Sequence, residues 1–264
     1  MNKQTSQWFI PVILAGAAGL ALWFYWLRLS EPPPEPPAPP PVAERPVVVP
    51  APLHPVPELE VPERPELVPL PPLNESDEYF RLALTDLFGD AIGDILVETR
   101  LIERVVATID NLPRPHVAER IRPVGRLDDT FLVDSQDGSG EFTISTANYS
   151  RYDGLVTLVT SADIEAATDV YRRYYPLFQK AYVELGYPDG YFNDRLVEVI
   201  DHLLDTPDVG DPIELVQPHV LYEYRDPEIE ALSSGQKQLI RMGSENAARI
   251  KEKLHELRGR VTAM

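Results

Sequence analysis

The sequence predicts a mainly α-helical domain with a small β-hairpin or sheet, preceded by one transmembrane helix and a proline-rich linker. Three observations predict it. The run from Trp8 to Leu27 carries no charge, eighteen of the 28 prolines fall between Glu31 and Pro72, and apolar residues after Asn74 recur at alternating spacings of three and four. The boundaries that follow are a tail over 1–7, a membrane span over 8–29, a linker over 30–73 and a soluble domain over 74–264.

The span, WFIPVILAGAAGLALWFYWLRL, is long enough at about 1.5 Å per residue to cross a bilayer core of roughly 30 Å. Trp8, Phe9, Trp23, Phe24, Tyr25 and Trp26 crowd its ends, where amphipathic rings sit at headgroup depth. A cleaved signal peptide needs small residues at the end of its apolar core, and here that place holds WFYW. The expectation is an uncleaved anchor. Lys3 and Arg28 flank it almost evenly, so orientation rests on the usual arrangement of a short tail inside and a large domain outside. That places the N-terminus on the cytoplasmic side and the domain on the far side of the membrane.

Proline fixes φ and removes a donor, so EPPPEPPAPPP and VPELEVPERPELVPLPP read as an extended, semi-rigid spacer without a core. After it, Asn74–Asp77 starts a helix that Gly89 ends, and a second helix is expected over Ala91–Ile109. Arg114–Arg126 reads as irregular and basic. Phe131–Val133 and Phe142–Ile144 flank an Asp-Gly turn and form a hairpin, whose acids do not match calcium-loop spacing. Asn148–Thr160 is ambiguous: Val156–Val159 suits a strand, whereas Tyr149, Tyr152, Leu155, Val156 and Val159 suit a helix, which is the reading adopted. Ser161 is expected to cap the next helix, whose stripe runs Ile164, Ala167, Tyr171, Tyr174, Phe178, Ala181 and Leu185, with a kink at Pro176. A further helix spans Tyr191–Asp205, and Ile213–Tyr224 is extended and positioned to pair with the hairpin. Short helices follow at Asp226–Pro227, Gly235–Met242 and Glu245–Arg258, the last with Ser244 as its cap.

The chain has 264 residues, no cysteine and a net charge of −18. Disulfides, thiolate metal sites and cysteine nucleophiles are excluded. The acidic balance argues against nucleic acid as a partner. Charge is uneven. Leu127–Ser234 holds 22 acidic against 6 basic residues, whereas Gly235–Met264 holds 3 against 7, so the two regions suit each other or a basic partner.

YFNDRLVEVIDHLL (Tyr191–Leu204), VLYEYRDPEIEALSSGQKQLIRMG (Val220–Gly243) and ENAARIKEKLHELR (Glu245–Arg258) resemble the bacterial domain-of-unknown-function 3014 family. NYSRYDGLV and YRRYYPLFQKAYVELGYP are similar to its middle portion. The resemblance covers most of Glu75–Arg258. It departs at Ser244, where the family pattern implies proline; either residue begins a helix. It implies an N-terminal anchor, a proline-rich spacer and a Gram-negative envelope setting, hence a bacterial inner membrane with the N-terminus cytoplasmic and the domain periplasmic, with no mechanism attached.

Asp194, Glu198, Asp201 and Asp205 share one face of the Tyr191–Asp205 helix, with Glu198 and His202 four apart. Such a pair holds a metal or exchanges protons when a further ligand converges, but HExxH is missing and a solvated face explains it as well. Eight of twelve tyrosines lie between Tyr149 and Tyr191, among Arg151, Arg172 and Arg173, a composition suited to a partner or glycan surface. The candidate surface or pocket residues are therefore Arg151, Tyr152, Tyr175, Asn193, Asp194, Arg195, Glu198 and His202. No catalytic residue, cofactor or metal is assigned, since GxSxG, SxxK and nucleotide-binding glycine loops are absent. The expected role is a protein-binding or scaffolding module of the cell envelope. A peptidoglycan-binding or glycan-hydrolysing domain is the alternative.

Overall fold

The computed structural model describes residues 51–57, 69–125, 130–135 and 141–263. The expected span, most of the linker and the Asp137–Gly138 turn lie outside these residues. Among the described residues no helix is long and apolar enough to cross a membrane.

The mainly helical expectation holds, with a four-stranded antiparallel sheet. Helix α1 (Asp77–Phe88) ends at Gly89, whose φ of 83° suits a residue without Cβ. The helix expected over Ala91–Ile109 is instead two, α2 (Ala91–Ile95) and α3 (Leu101–Asn111). The break has a tertiary cause. Leu96 pairs in an isolated bridge with Val124, the Val97 N–H donates to Pro123, and Arg100 adopts a left-handed φ of 58°. The Asp77 carboxylate then accepts the N–H groups of Arg100 and Leu101, both at 2.7 Å, and caps α3 from another helix.

Helix α4 (Ser150–Ser161) confirms the helical reading of that stretch. Ser161 does not cap the next helix; its hydroxyl donates back to Leu158 in the last turn of α4. The cap is Asp163, whose carboxylate accepts the Ala166 N–H at 2.8 Å, an ionised acceptor at the positive end of the helix dipole. Helix α5 (Ile164–Glu184) then continues through Pro176.

Helix α6 (Phe192–Leu204) buries Phe192, Asn193, Leu196, Val197, Val199, Ile200 and Leu203. At about 100° per residue they span an arc of about 160°, a broad face wide enough to meet several neighbours. Phe192 joins a cluster with Phe80, Leu101, Val106, Tyr174 and Phe178 from α1, α3 and α5. Val199 and Leu203 pack with Tyr152 and Val156 of α4. Leu196, Val197 and Ile200 meet Val261 of α9 (Ser244–Thr262). Gly243 (φ 84°) precedes α9 and no side chain caps it, so Ser244 begins the helix without the capping bond expected of it.

The sheet runs β1 (Val133–Ser135), β2 (Phe142–Ile144), β3 (Glu214–Val216) and β4 (Glu223–Tyr224), in that order. Phe142 faces Leu215 and Leu215 faces Tyr224, placing apolar side chains in register across the strands. Ile144, Ile213, Leu215 and Tyr224 pack against Ile240. Short α7 (Pro227–Glu230) and α8 (Ser234–Arg241) close the order. Ser233 and Gln236 form a capping box at the start of α8.

Candidate functional site

The polar residues of α6 fan out to different neighbours. Glu198 receives Arg195 at 2.9 Å, whereas the His202 ring lies 2.8 Å from the Ser233 hydroxyl at the α8 cap. The four-residue spacing therefore brings Glu198 and His202 onto one helix without joining them in one site. Asp201 pairs with Arg258 of α9, with one bond at 3.0 Å and a second from Nε. The Arg258 hydrogen bonds hold the Asp201 carboxyl below its ordinary range. Among the described residues no group of three or more His, Cys, Asp or Glu side chains is arranged to hold a metal. Arg260 reaches Glu165 at 2.8 Å, so the basic C-terminal region does meet the acidic middle within the fold.

Arg195 belongs to a cluster around Asp110, which is 2% exposed. Its Nε donates to the Asp110 carboxylate at 3.0 Å and its Nη2 to the Asp110 carbonyl at 2.8 Å. Arg114 donates to the same carboxylate at 2.8 Å, and the Tyr187 hydroxyl at 3.2 Å. The cluster ties α3 to α6 and to the loop after α5. Tyr182, stacked on Tyr187 at 4.6 Å, has its phenol pushed up to about 12 by burial and by the charge of Asp110. Asp110 was missed at the sequence level. The available signal was an acid immediately beside Ile109, at the apolar edge of α3.

Asn193 and Asp194 engage residues 51–57. Asn193 is fully buried; its carbonyl oxygen accepts the Tyr171 hydroxyl at 2.9 Å, and its amide donates to the carbonyls of His54 at 2.9 Å and Val261 at 3.1 Å. The two carboxylate oxygens of Asp194 accept consecutive backbone N–H groups, Leu53 at 2.9 Å and His54 at 2.7 Å. Tyr175 stands beside this place. Its ring meets Tyr171 edge-on at 5.9 Å and its hydroxyl donates to Gln179, which also accepts the Phe192 N–H and holds the turn into α6. Burial raises the Tyr175 phenol above its ordinary range, with Asp194 adding to the rise.

Arg151 and Tyr152 lie elsewhere, on an open cleft of about 590 Å³ between α3, α4, α8 and the loop over residues 117–125. Leu112, Val117, Leu155 and Met242 supply apolar surface, and Arg122, Arg151, Tyr152 and Glu119 supply polar groups. Arg122 is steadied by donating to the Val117 carbonyl at 3.1 Å, and Arg151 by the Asn148 side chain at 3.3 Å. The eight candidate residues thus divide among the cleft, the Asn193–Asp194 contact, the Asp110 cluster and the α8 cap.

No curated protein and no solved structure matches the chain. A family model described as "Protein of unknown function (DUF3014)" matches residues 101–258, a span that contains α6, the Asp110 cluster and nearly all of the cleft. The protein belongs to that family, as YFNDRLVEVIDHLL and its companion segments imply.

Proposed function

We propose that the protein is an inner-membrane-anchored binding module, carried into the periplasm on its proline-rich linker and docking an envelope protein in the cleft beside Tyr152. The cleft carries this reading. It joins apolar floor residues to tyrosine, methionine and pre-positioned arginines, the side chains that dominate interface anchors. Among the described lining residues, Arg122 and Arg151 outnumber the carboxylate of Glu119 on a chain of net charge −18. The segment it suits is an apolar anchor next to a carboxylate, because the guanidiniums add charge complementarity to the apolar contact. The described lining residues contribute one carboxylate, Glu119, whereas glycoside hydrolysis ordinarily uses two.

A photo-reactive residue at Leu155 of the full-length chain, expressed in a Gram-negative envelope, tests the proposal. The expected result is a discrete protein adduct that is lost in the Arg122→Glu/Arg151→Glu double variant and absent when the probe sits at exposed Val183. Equal labelling at both positions would contradict it. Release of soluble fragments from purified peptidoglycan would replace it with the glycan-hydrolase alternative.

A further inference from the structure

Pro52, His54 and Val56 are half-buried, whereas Ala51, Leu53, Pro55 and Pro57 are exposed, and the backbone bends at Leu53 and His54, which aims two consecutive N–H groups at one acceptor. Within 52–55, prolines at both ends remove two donors, and Leu53 and His54 hold the only backbone N–H groups. Asp194 accepts both, one on each oxygen, and Asn193 donates to the His54 carbonyl. Ionised acceptors make such bonds shorter and stronger than neutral ones. Asn193 is itself fixed by Tyr171 and Val261, so its amide is aimed before the segment arrives. A solvated helix face does not require this arrangement.

The geometry points to Asn193 and Asp194 as a recognition site for a proline-flanked peptide bent to present two consecutive N–H groups, with residues 52–56 of the same chain as its built-in occupant. The occupant is joined to the domain by residues 58–68, and a connection that short gives an effective concentration on the order of millimolar, enough to hold a weak contact closed. The contact acts as a latch on the tether.

Amide hydrogen exchange on the full-length chain in detergent tests the latch and reads it whether or not the anchor is correct. Leu53 and His54 are expected to exchange at least tenfold more slowly than in a free peptide spanning residues 48–58. Asp194→Ala removes the protection at both amides. Leu53→Pro deletes one donor without touching the domain, and it lowers protection at His54 with the domain's melting temperature unchanged. Free-peptide rates in the unaltered chain would overturn the inference, as would protection that survives Asp194→Ala. Protection that rises with protein concentration would also overturn it, because the occupant would then come from a second copy.

Discussion

The guanidinium of Arg195 clasps Asp110 twice, at the carboxylate and at the backbone carbonyl, joining two helices whose contact residues lie 85 positions apart. Arg195→Ala leaves a nearly buried carboxylate with Arg114 and Tyr187 as its partners among the described residues. The expected loss is about 3 kcal/mol of unfolding free energy, because breaking one side of a buried pair strands the other. Glu198, the exposed partner of the same arginine at 68% side-chain exposure, is expected to contribute under about 1 kcal/mol. Urea unfolding of Arg195→Ala and Glu198→Ala orders the two.

Asn193→Ala removes an amide that serves Tyr171, His54 and Val261 at once. Each neutral bond is worth about 1 kcal/mol and the stranded buried groups add to that, so the variant is expected to lose about 2–4 kcal/mol. Tyr171→Phe, deleting one bond of the set, is expected to lose about 1 kcal/mol. Comparable losses in the two variants would show that the amide has no organising role.

Two glycines respond oppositely to alanine. A Cβ on Gly243 would stand 2.7 Å from the Tyr149 ring at a φ of 84°, so Gly243→Ala is expected to destabilise by about 2 kcal/mol or more. Gly154 sits inside α4 with nothing within 4 Å of an added Cβ, and Gly154→Ala is expected to stabilise by about 0.5–1 kcal/mol. Thermal melts of both variants check the contrast.

Acid tests the Asp201–Arg258 pair. The folded carboxyl titrates below the ordinary 3.8 because the Arg258 hydrogen bonds favour its charged form. Its contribution is therefore complete above the unfolded value and is lost as pH falls through the lower folded one. Both side chains are more than a third exposed, so solvent screening keeps the effect small. The stability difference between the unaltered chain and Arg258→Ala should be constant from pH 7 to 5 and shrink as pH falls below the ordinary 3.8, followed by urea unfolding at each pH.

Much of the helical architecture was legible because it is local. The three-four spacing of Phe192, Leu196, Val199, Ile200 and Leu203 is the burial pattern of α6 itself, and Phe142, Leu215 and Tyr224 do align across the sheet. The break between α2 and α3 was not legible, since it depends on Asp77 reaching the N-terminus of a later helix and on Val97 bonding Pro123. The site residues followed the same rule. Asp194 was singled out as one carboxylate on a polar face, but its use depends on backbone donors about 140 residues upstream. Glu198 and His202 share a face by spacing, and only the positions of Arg195 and Ser233 draw them apart.

Extraction of membranes at alkaline pH tests most directly whether the cleft is presented from a bilayer. The account predicts that the intact chain, beginning before Trp8, stays in the membrane pellet through the carbonate wash. Recovery in the supernatant, or a mature chain that begins after Leu29, would contradict it.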